Sequence, residues 1–364
     1  MGTKRKLSSL YINLTLLVIV LIWTIPTLGI FVSSFRVRDD IATSGWWNIL
    51  PHREWQAVRV IDPRAEGLDS AGVMEVEGVS GTFEEFRAGV TTPDGERVTW
   101  IGNRRIGMIE VQERVLTVSW DFTLDNYKQV LGGQSFEFTR PDGTVEVVPG
   151  DNMVGAFLNS LAVAIPSTVI PILIAAFAAY AFAWMNFPGR RWMFILVVAL
   201  LVVPLQIALV PILRDYKQLQ LNGTFLAIWL AHTGFGLALA TYLLYNYIST
   251  LPREMLESAF IDGASHFTVF TRLVLPLSVP ALASFAIFQF LWVWNDYLVA
   301  LIFLGGDPRF ELVTQRMAAI VGSRGSEWHL LTAGAFVSMV LPLVVFFSLQ
   351  RYFVRGMMAG SVKG

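Results

Sequence analysis

The chain has 364 residues, 54% of them hydrophobic and 15% charged, with a mean hydropathy of +0.55. An ordinary soluble domain carries about 25% charged residues, so the composition is that of a membrane protein. The net charge of −1 argues against a basic nucleic-acid binder. The absence of cysteine excludes disulfides, thiol nucleophiles and thiolate metal sites.

Stretches free of Asp, Glu, Lys and Arg run Leu7–Phe35, Asn152–Gly189, Trp192–Leu213, Gln218–Pro252, Leu273–Asn295 and Trp328–Gln350. A hydrocarbon core of about 30 Å needs roughly 20 apolar residues of helix, and only helices satisfy their own backbone within such runs. The pattern predicts an all-α membrane bundle of six transmembrane helices. The first run follows Lys4-Arg5-Lys6 and is longer than the apolar region of a signal peptide. It reads as a retained helix, with Pro26 expected to kink it. Lys and Arg in the short loops favour a cytosolic N-terminus and C-terminus.

Residues 36–150 interrupt this pattern, with 19 of the 28 acidic residues. A structureless loop of that length would be unusual. Val73–Glu77, Arg97–Ile101 and Ile106–Val111 carry β-formers, and Pro93-Asp94-Gly95 and Pro141-Asp142-Gly143 are turn signals. The expected organisation is residues 1–35 as cytosolic N-terminus and first helix, 36–150 as a β-rich extracytoplasmic insert, and 151–364 as a five-helix core. Asp39-Asp40 and Glu84-Glu85 read as solvated faces, and no catalytic constellation is visible.

The loop 248–279 between the fourth and fifth runs is expected in the cytosol. Pro252 suits a helix start, Glu254 and Glu257 suit its N-terminal end, and Gly263 permits a positive-φ stop. Phe267, Phe270 and Val274 are expected on one face of a second helix. Periodicity leaves two readings open: an amphipathic connector on the bilayer, or a helix that docks in a partner's groove.

The residues of this loop resemble those of importer permeases of the ATP-binding-cassette class. That family carries E-A-A, three residues, G, nine residues, I-x-L-P. This chain has Glu257-Ser258-Ala259, three residues, Gly263, nine residues, and Leu273-Val274-Leu275-Pro276. Ser258 and Leu273 are mild departures. Asp262-Gly263-Ala264 and Pro280 are similar to the form common in sugar permeases. So are Leu124-Asp125-Asn126-Tyr127, Asn159-Ser160-Leu161, Trp294-Asn295-Asp296 and the C-terminal stretch from Arg351. The large insert, with Ile41–Trp47 at its start, resembles the maltose and α-glucoside permease subgroup.

The resemblance implies a multi-pass subunit of a bacterial inner membrane that moves a sugar into the cytosol. Its implied partners are a second permease, two ATPase subunits and an extracytoplasmic solute-binding protein, within membrane lipid and without nucleic acid. The chain has no phosphate-binding loop of the G-x-x-x-x-G-K-[ST] type. It is therefore expected to be no enzyme and to bind no cofactor, with ATP and magnesium held by the partner ATPase. The resemblance assigns ATPase coupling to Glu257, Ser258, Ala259, Phe260, Asp262, Gly263, Ala264, Leu275 and Pro276. Glu257 would make a polar contact, Gly263 the bend, and Ala259, Phe260 and Ala264 the packing in the ATPase cleft.

Polar residues inside spans mark the pathway candidates. Gln206 and Gln289 sit deep in their runs, where each suits a sugar pathway or a helix–helix hydrogen bond. Trp292 and Trp294 suit stacking on sugars and equally the membrane interface. Asn295 and Asp296 suit a gate or a loop anchor, and His232 a packed histidine or a proton relay. Two competing classes are a stand-alone ion- or proton-coupled transporter, which needs a midplane charge, and a membrane enzyme, for which no motif is present.

Overall fold

A computed structural model describes residues 2–133, 136–139, 145–148, 152–323 and 327–359, with side chains for 9–133, 152–321 and 327–352. The chain divides into two compact units, residues 39–122 and the remainder.

The larger unit is helical. α1 (Gly2–Phe35) runs unbroken through Pro26 and presents an apolar, mostly exposed surface. α2 (Arg38–Thr43) follows.

The unit formed by residues 39–122 is a small β structure with its own core. Its strands are β1 (His52–Ile61), β2 (Met74–Val76), β3 (Val79–Gly81), β4 (Val90–Thr91), β5 (Arg97–Ile101) and β6 (Met108–Thr117), with α3 (Phe83–Ala88) between β3 and β4. The main sheet is antiparallel in the order β1-β6-β5-β4, and β2-β3 pair separately. Phe86, Val98, Ile109 and Val111 are fully buried together with Met74 and Trp100. Gly95 takes φ +87° in the turn between β4 and β5, where Pro93-Asp94-Gly95 signals it. Glu84 and Glu85 differ in role: the Glu85 carboxylate accepts from Thr82 N at 2.7 Å and closes a capping box at the start of α3. That bond to the Thr82 backbone, with the Thr82 hydroxyl, holds the Glu85 carboxyl below its ordinary range.

Strand β1 has no counterpart in the sequence reading. Its residues are exposed on both faces along most of its length, so no alternation betrays it. Pairing with β6 from His52↔Thr117 to Ile61↔Ile109 defines it.

The chain then rejoins the helical unit at α4 (Asp125–Gly132), well before position 150, because Val130 is buried in the helical core and Tyr127 packs against it. β7 (Phe136–Thr139) and β8 (Val145–Val148) pair as an antiparallel hairpin. The signalled turn Pro141-Asp142-Gly143 lies outside the described residues.

α5 (Met153–Trp184), α6 (Arg190–Leu200), α7 (Leu205–Gln218) and α8 (Phe225–Ile248) come next. They are followed by α9 (Arg253–Ile261), α10 (His266–Val269), a π turn over Phe270–Val274, α11 (Leu275–Leu277) and α12 (Val279–Asn295). α13 (Leu298–Phe303), α14 (Val313–Ser323) and α15 (Trp328–Ala359) are the last of the described elements. Ala175, Ala176 and Ala179 on α5 and Ala240 on α8 are buried in a shared core, where small side chains let helix backbones approach.

Among the described residues, α1, α5, α8 and α15 are long and apolar enough to cross a membrane. Two bent pairs raise the number to six if each is one span: α6–α7, bent by 102°, and His266–Leu277 with Val279–Asn295, bent by 70°. The third and fifth charge-free runs are therefore not straight helices. Leu201–Pro204 breaks the third, since Pro204 takes an extended conformation with ψ 126°. Ser278 breaks the fifth between Pro276 and Pro280. A charge-free run reports solubility in lipid, which a bent helix pair satisfies as well as a straight one.

Candidate functional site

The loop around Gly263 is a helix–turn–helix. Pro252 precedes α9 with ψ 127°, one residue outside the helix. At the other end Ala264 N donates to Ala259 O and Gly263 N to Phe260 O, each at 3.0 Å. This pair of bonds is the Schellman motif, and it places Gly263 at φ +84°. Ser265 then caps α10 by accepting from Thr268 N at 3.2 Å.

Burial divides the loop residues in two. Glu257, Ser258, Asp262 and Gly263 are exposed. Ala259, Phe260, Ala264 and Leu275 pack inward, against the core that α5 and α8 share. Ile261 is 85% exposed and Phe267 66% exposed. Phe267 therefore does not share a face with Phe270 and Val274, which are buried with Val269. Phe267 and Phe270 stand three positions apart, about 60° around the helix, and packing against Phe177 of α5 takes only Phe270 inside. Ile261 and Phe267 are apolar surface that the sequence motif does not single out.

A cavity of 630 Å³ opens between α6, α7, α8 and α12, lined by Tyr216, Phe235, Gln289 and Trp292 among others. Its size falls in the ordinary range for small-molecule sites. Gln289 is fully buried, and its Nε2 donates to Ser167 O at 3.2 Å and His232 O at 3.3 Å. It thus ties α12 to α5 and α8 while facing the cavity. The approach is close: a Cβ on Gly236 would stand 2.6 Å from the Gln289 carboxamide. His232 is buried with its ring edge-on to Trp292 at 5.3 Å.

Gln206 does not share this position. It is exposed at the start of α7, just past the break, so the depth expected from a continuous helix does not apply. It lines a second pocket of 420 Å³ with Trp292, Asn295 and Asp296. Gln206, Trp292, Asn295 and Asp296 thus meet there, and Trp292 borders both spaces. Asp296 also anchors its loop: Oδ1 accepts from Val299 N at 2.9 Å, and its carbonyl accepts from Thr314 Oγ1 at 3.3 Å. Asn295 Nδ2 donates to Leu291 O at 2.8 Å.

The two other motifs act as clasps. Asn126 Nδ2 donates to Ser34 O and Arg36 O, each at 2.9 Å, and Tyr127 OH bonds Ser34 Oγ at 2.7 Å. They secure the end of α1. Asn159 Nδ2 donates to Arg309 O at 2.9 Å and Glu311 O at 3.1 Å, and Ser160 Oγ accepts from Val313 N at 2.9 Å. They secure the connection into α14. The sequence reading passed over His266, whose Nδ1 shares a 2.8 Å hydrogen bond with Tyr180 OH.

Residues 159–359 match the family described as binding-protein-dependent transport system inner membrane component. The chain is 48% identical over its whole length to an osmoprotective compounds uptake permease protein, GgtD, of Synechocystis sp., covering 96% of that protein. It is 47% identical to the alpha-glucoside transport system permease protein AglG of Rhizobium meliloti, over 97% of each chain. In structure it resembles a chain of a bacterial ABC transporter that imports the acidic polysaccharide alginate. The TM-score is 0.50 at 18% identity, over 66% of this chain and 84% of that one, which speaks to fold alone. Matches of this length, joined to the loop geometry and the apolar helices, make the chain a member of the binding-protein-dependent inner-membrane permease family: a multi-pass, non-catalytic transport subunit of a carbohydrate-type ATP-binding-cassette importer.

Proposed function

We propose that this permease carries an α-glucoside, or an osmoprotective compound, from outside the cell to the cytosol, with a second permease completing the pathway. The driving ATPase subunits dock on the loop 248–279, and a solute-binding protein delivers substrate from the opposite side. Residues 36–150 then lie outside the cytosol and both termini within it. The substrate class is supported by the two full-length relatives, whose similarity extends through the insert.

The observation that carries the coupling reading is the exposed turn itself. The Schellman stop projects Glu257, Ser258, Ile261 and Asp262 outward, next to Gly263 and Phe267. That surface joins an apolar pair to two carboxylates, as a helix seated in a partner's groove requires. Ala259, Phe260, Ala264 and Leu275 support the turn from behind, and Pro276 is exposed beyond them. On the pathway side, Gln206, Trp292, Asn295 and Asp296 line the smaller pocket, and Gln289 the larger.

The test is copurification of the ATPase subunits, with hydrolysis stimulated by the binding protein in proteoliposomes. Gly263→Pro forbids the positive φ and removes the Gly263 N–H, so hydrolysis should uncouple from transport. Glu257→Lys should weaken ATPase binding, less so at high salt. Normal values for both variants at normal expression would leave the loop as a connector. Gln206→Leu should raise the apparent KM for uptake across a panel of glucosides, with unchanged expression.

A further inference from the structure

Among the polar ties between the loop and the bundle, one joins two side chains, on α10 and α5. Tyr180 lies near the end of α5, 3% exposed, and its hydroxyl reaches His266 Nδ1 at 2.8 Å. His266 is the first residue of α10, directly after the Gly263 turn. A ladder of rings surrounds this bond. Phe260 of α9 packs edge-on against His266 at 4.8 Å, and Tyr180 meets Phe270 at 5.5 Å. Phe270, in the π turn, stacks on Phe177 of α5 at 4.3 Å. Among single-turn irregularities, π turns gather at functional sites.

We propose that the Tyr180–His266 hydrogen bond makes α9, α10 and the end of α5 one rigid body, so that movement of the loop by an ATPase is delivered to α5. The proposal rests on the docking reading above and deepens it. Tyr180 and His266 are positioning residues. They touch neither nucleotide nor sugar, and they act by fixing the loop against the helix. α5 continues from Tyr180 to Ser167, a distance of about 20 Å at 1.5 Å per residue. There Gln289 of α12 bonds the Ser167 carbonyl. The same body thus reaches the cavity wall. The rings pack in edge-on and stacked pairs, and the hydrogen bond adds a directional constraint between the two elements.

The chain has no cysteine, so paired spin labels at Arg253→Cys on α9 and Ile174→Cys on α5 report only their own separation. Both positions are exposed. In the assembled transporter the distance distribution should be narrow and should stay so when ATP and vanadate are added. Tyr180→Phe removes the hydroxyl and keeps the ring. It should broaden that distribution and lower binding-protein-stimulated hydrolysis roughly fivefold, the factor expected for one net hydrogen bond, with ATPase copurification unchanged. His266→Ala should do the same, and the double variant should be no worse than either single one. His266→Asn, which keeps a hydrogen-bonding atom near the Nδ1 position, should recover part of the loss. His266 is on the surface, so its variants test the idea even if Tyr180→Phe lowers yield. An unchanged distribution and normal hydrolysis in Tyr180→Phe and His266→Ala would overturn the proposal, as would additive effects in the double variant. The label distance measured without ATPase subunits isolates the latch. A failure of docking itself shows separately, as normal copurification in Glu257→Lys and Gly263→Pro.

Discussion

At the scale of single residues, the chain depends on a few side-chain amides that satisfy carbonyls where helices end. Asn126 is 3% exposed and serves two carbonyls at the end of α1. Asn126→Ala leaves both without that donor, and a buried unsatisfied group costs about 1–3 kcal/mol. The purified protein should lose stability by that order, read as a lower Tm in detergent, while Asp125→Ala, a change at the surface, should cost little. Asp307 offers a pH test. Its carboxylate accepts from Arg309 Nη2 at 2.7 Å and Arg309 N at 3.0 Å. The Arg309 guanidinium, foremost, and its backbone amide hold its pKa down to about 2. A depressed carboxylate contributes its interaction above its unfolded pKa and loses it as pH falls through the folded one. The Asp307 carboxyl carbon should therefore titrate near pH 2 by NMR in selectively labelled protein. In Arg309→Ala it should return toward the ordinary value near 4.

At the scale of elements, close helix packing and helix breaks decide the site. α5, α8 and α12 meet where the Gln289 carboxamide lies over Gly236. A Cβ at 2.6 Å cannot be accommodated without moving α12, so Gly236→Ala should destabilise the bundle by about 1–3 kcal/mol, as overpacking does. The measurement is thermal aggregation in detergent, with Gly234→Ala as control, since a Cβ there meets nothing within 4 Å. Gln289→Leu should lower stability as well as alter transport, because it abandons two carbonyls, whereas Gln206→Leu should alter transport alone. The turn at Gly263 was legible from residue types, because only a residue without Cβ adopts φ +84° without strain. The exposure of Phe267 was not, because residues three apart lie about 60° around a helix and only packing against α5 decides that Phe270 alone turns inward.

At the scale of the whole molecule, the chain combines a helical unit with a β unit that has a separate apolar core. Residues 39–122 expressed alone should be soluble and β-rich, with cooperative thermal unfolding by circular dichroism. Extending the fragment to residue 150 should not raise its Tm, because Val130 and Tyr127 belong to the helical core. A random-coil spectrum for the shorter fragment would refute its independence.

The amino-acid order alone determined the features that depend on local chemistry. Long charge-free runs report the transfer of side chains into lipid. Pro-Asp-Gly and Gly263 report allowed backbone angles. The spacing from Glu257 to Pro276 led to the family, because it records a helix, a stop and a second helix in fixed proportion. Tertiary structure decided whatever required two distant segments to meet. Tyr180 and His266 are 86 positions apart, Asn126 and Ser34 92, and Asn159 and Arg309 150. Nothing in a linear window marks which of many polar side chains will find such a partner. The same holds for β1, which is a strand because β6 lies beside it. It also holds for the bends at Leu201–Pro204 and Ser278, since hydropathy counts apolar residues and is blind to the direction of the helix that carries them.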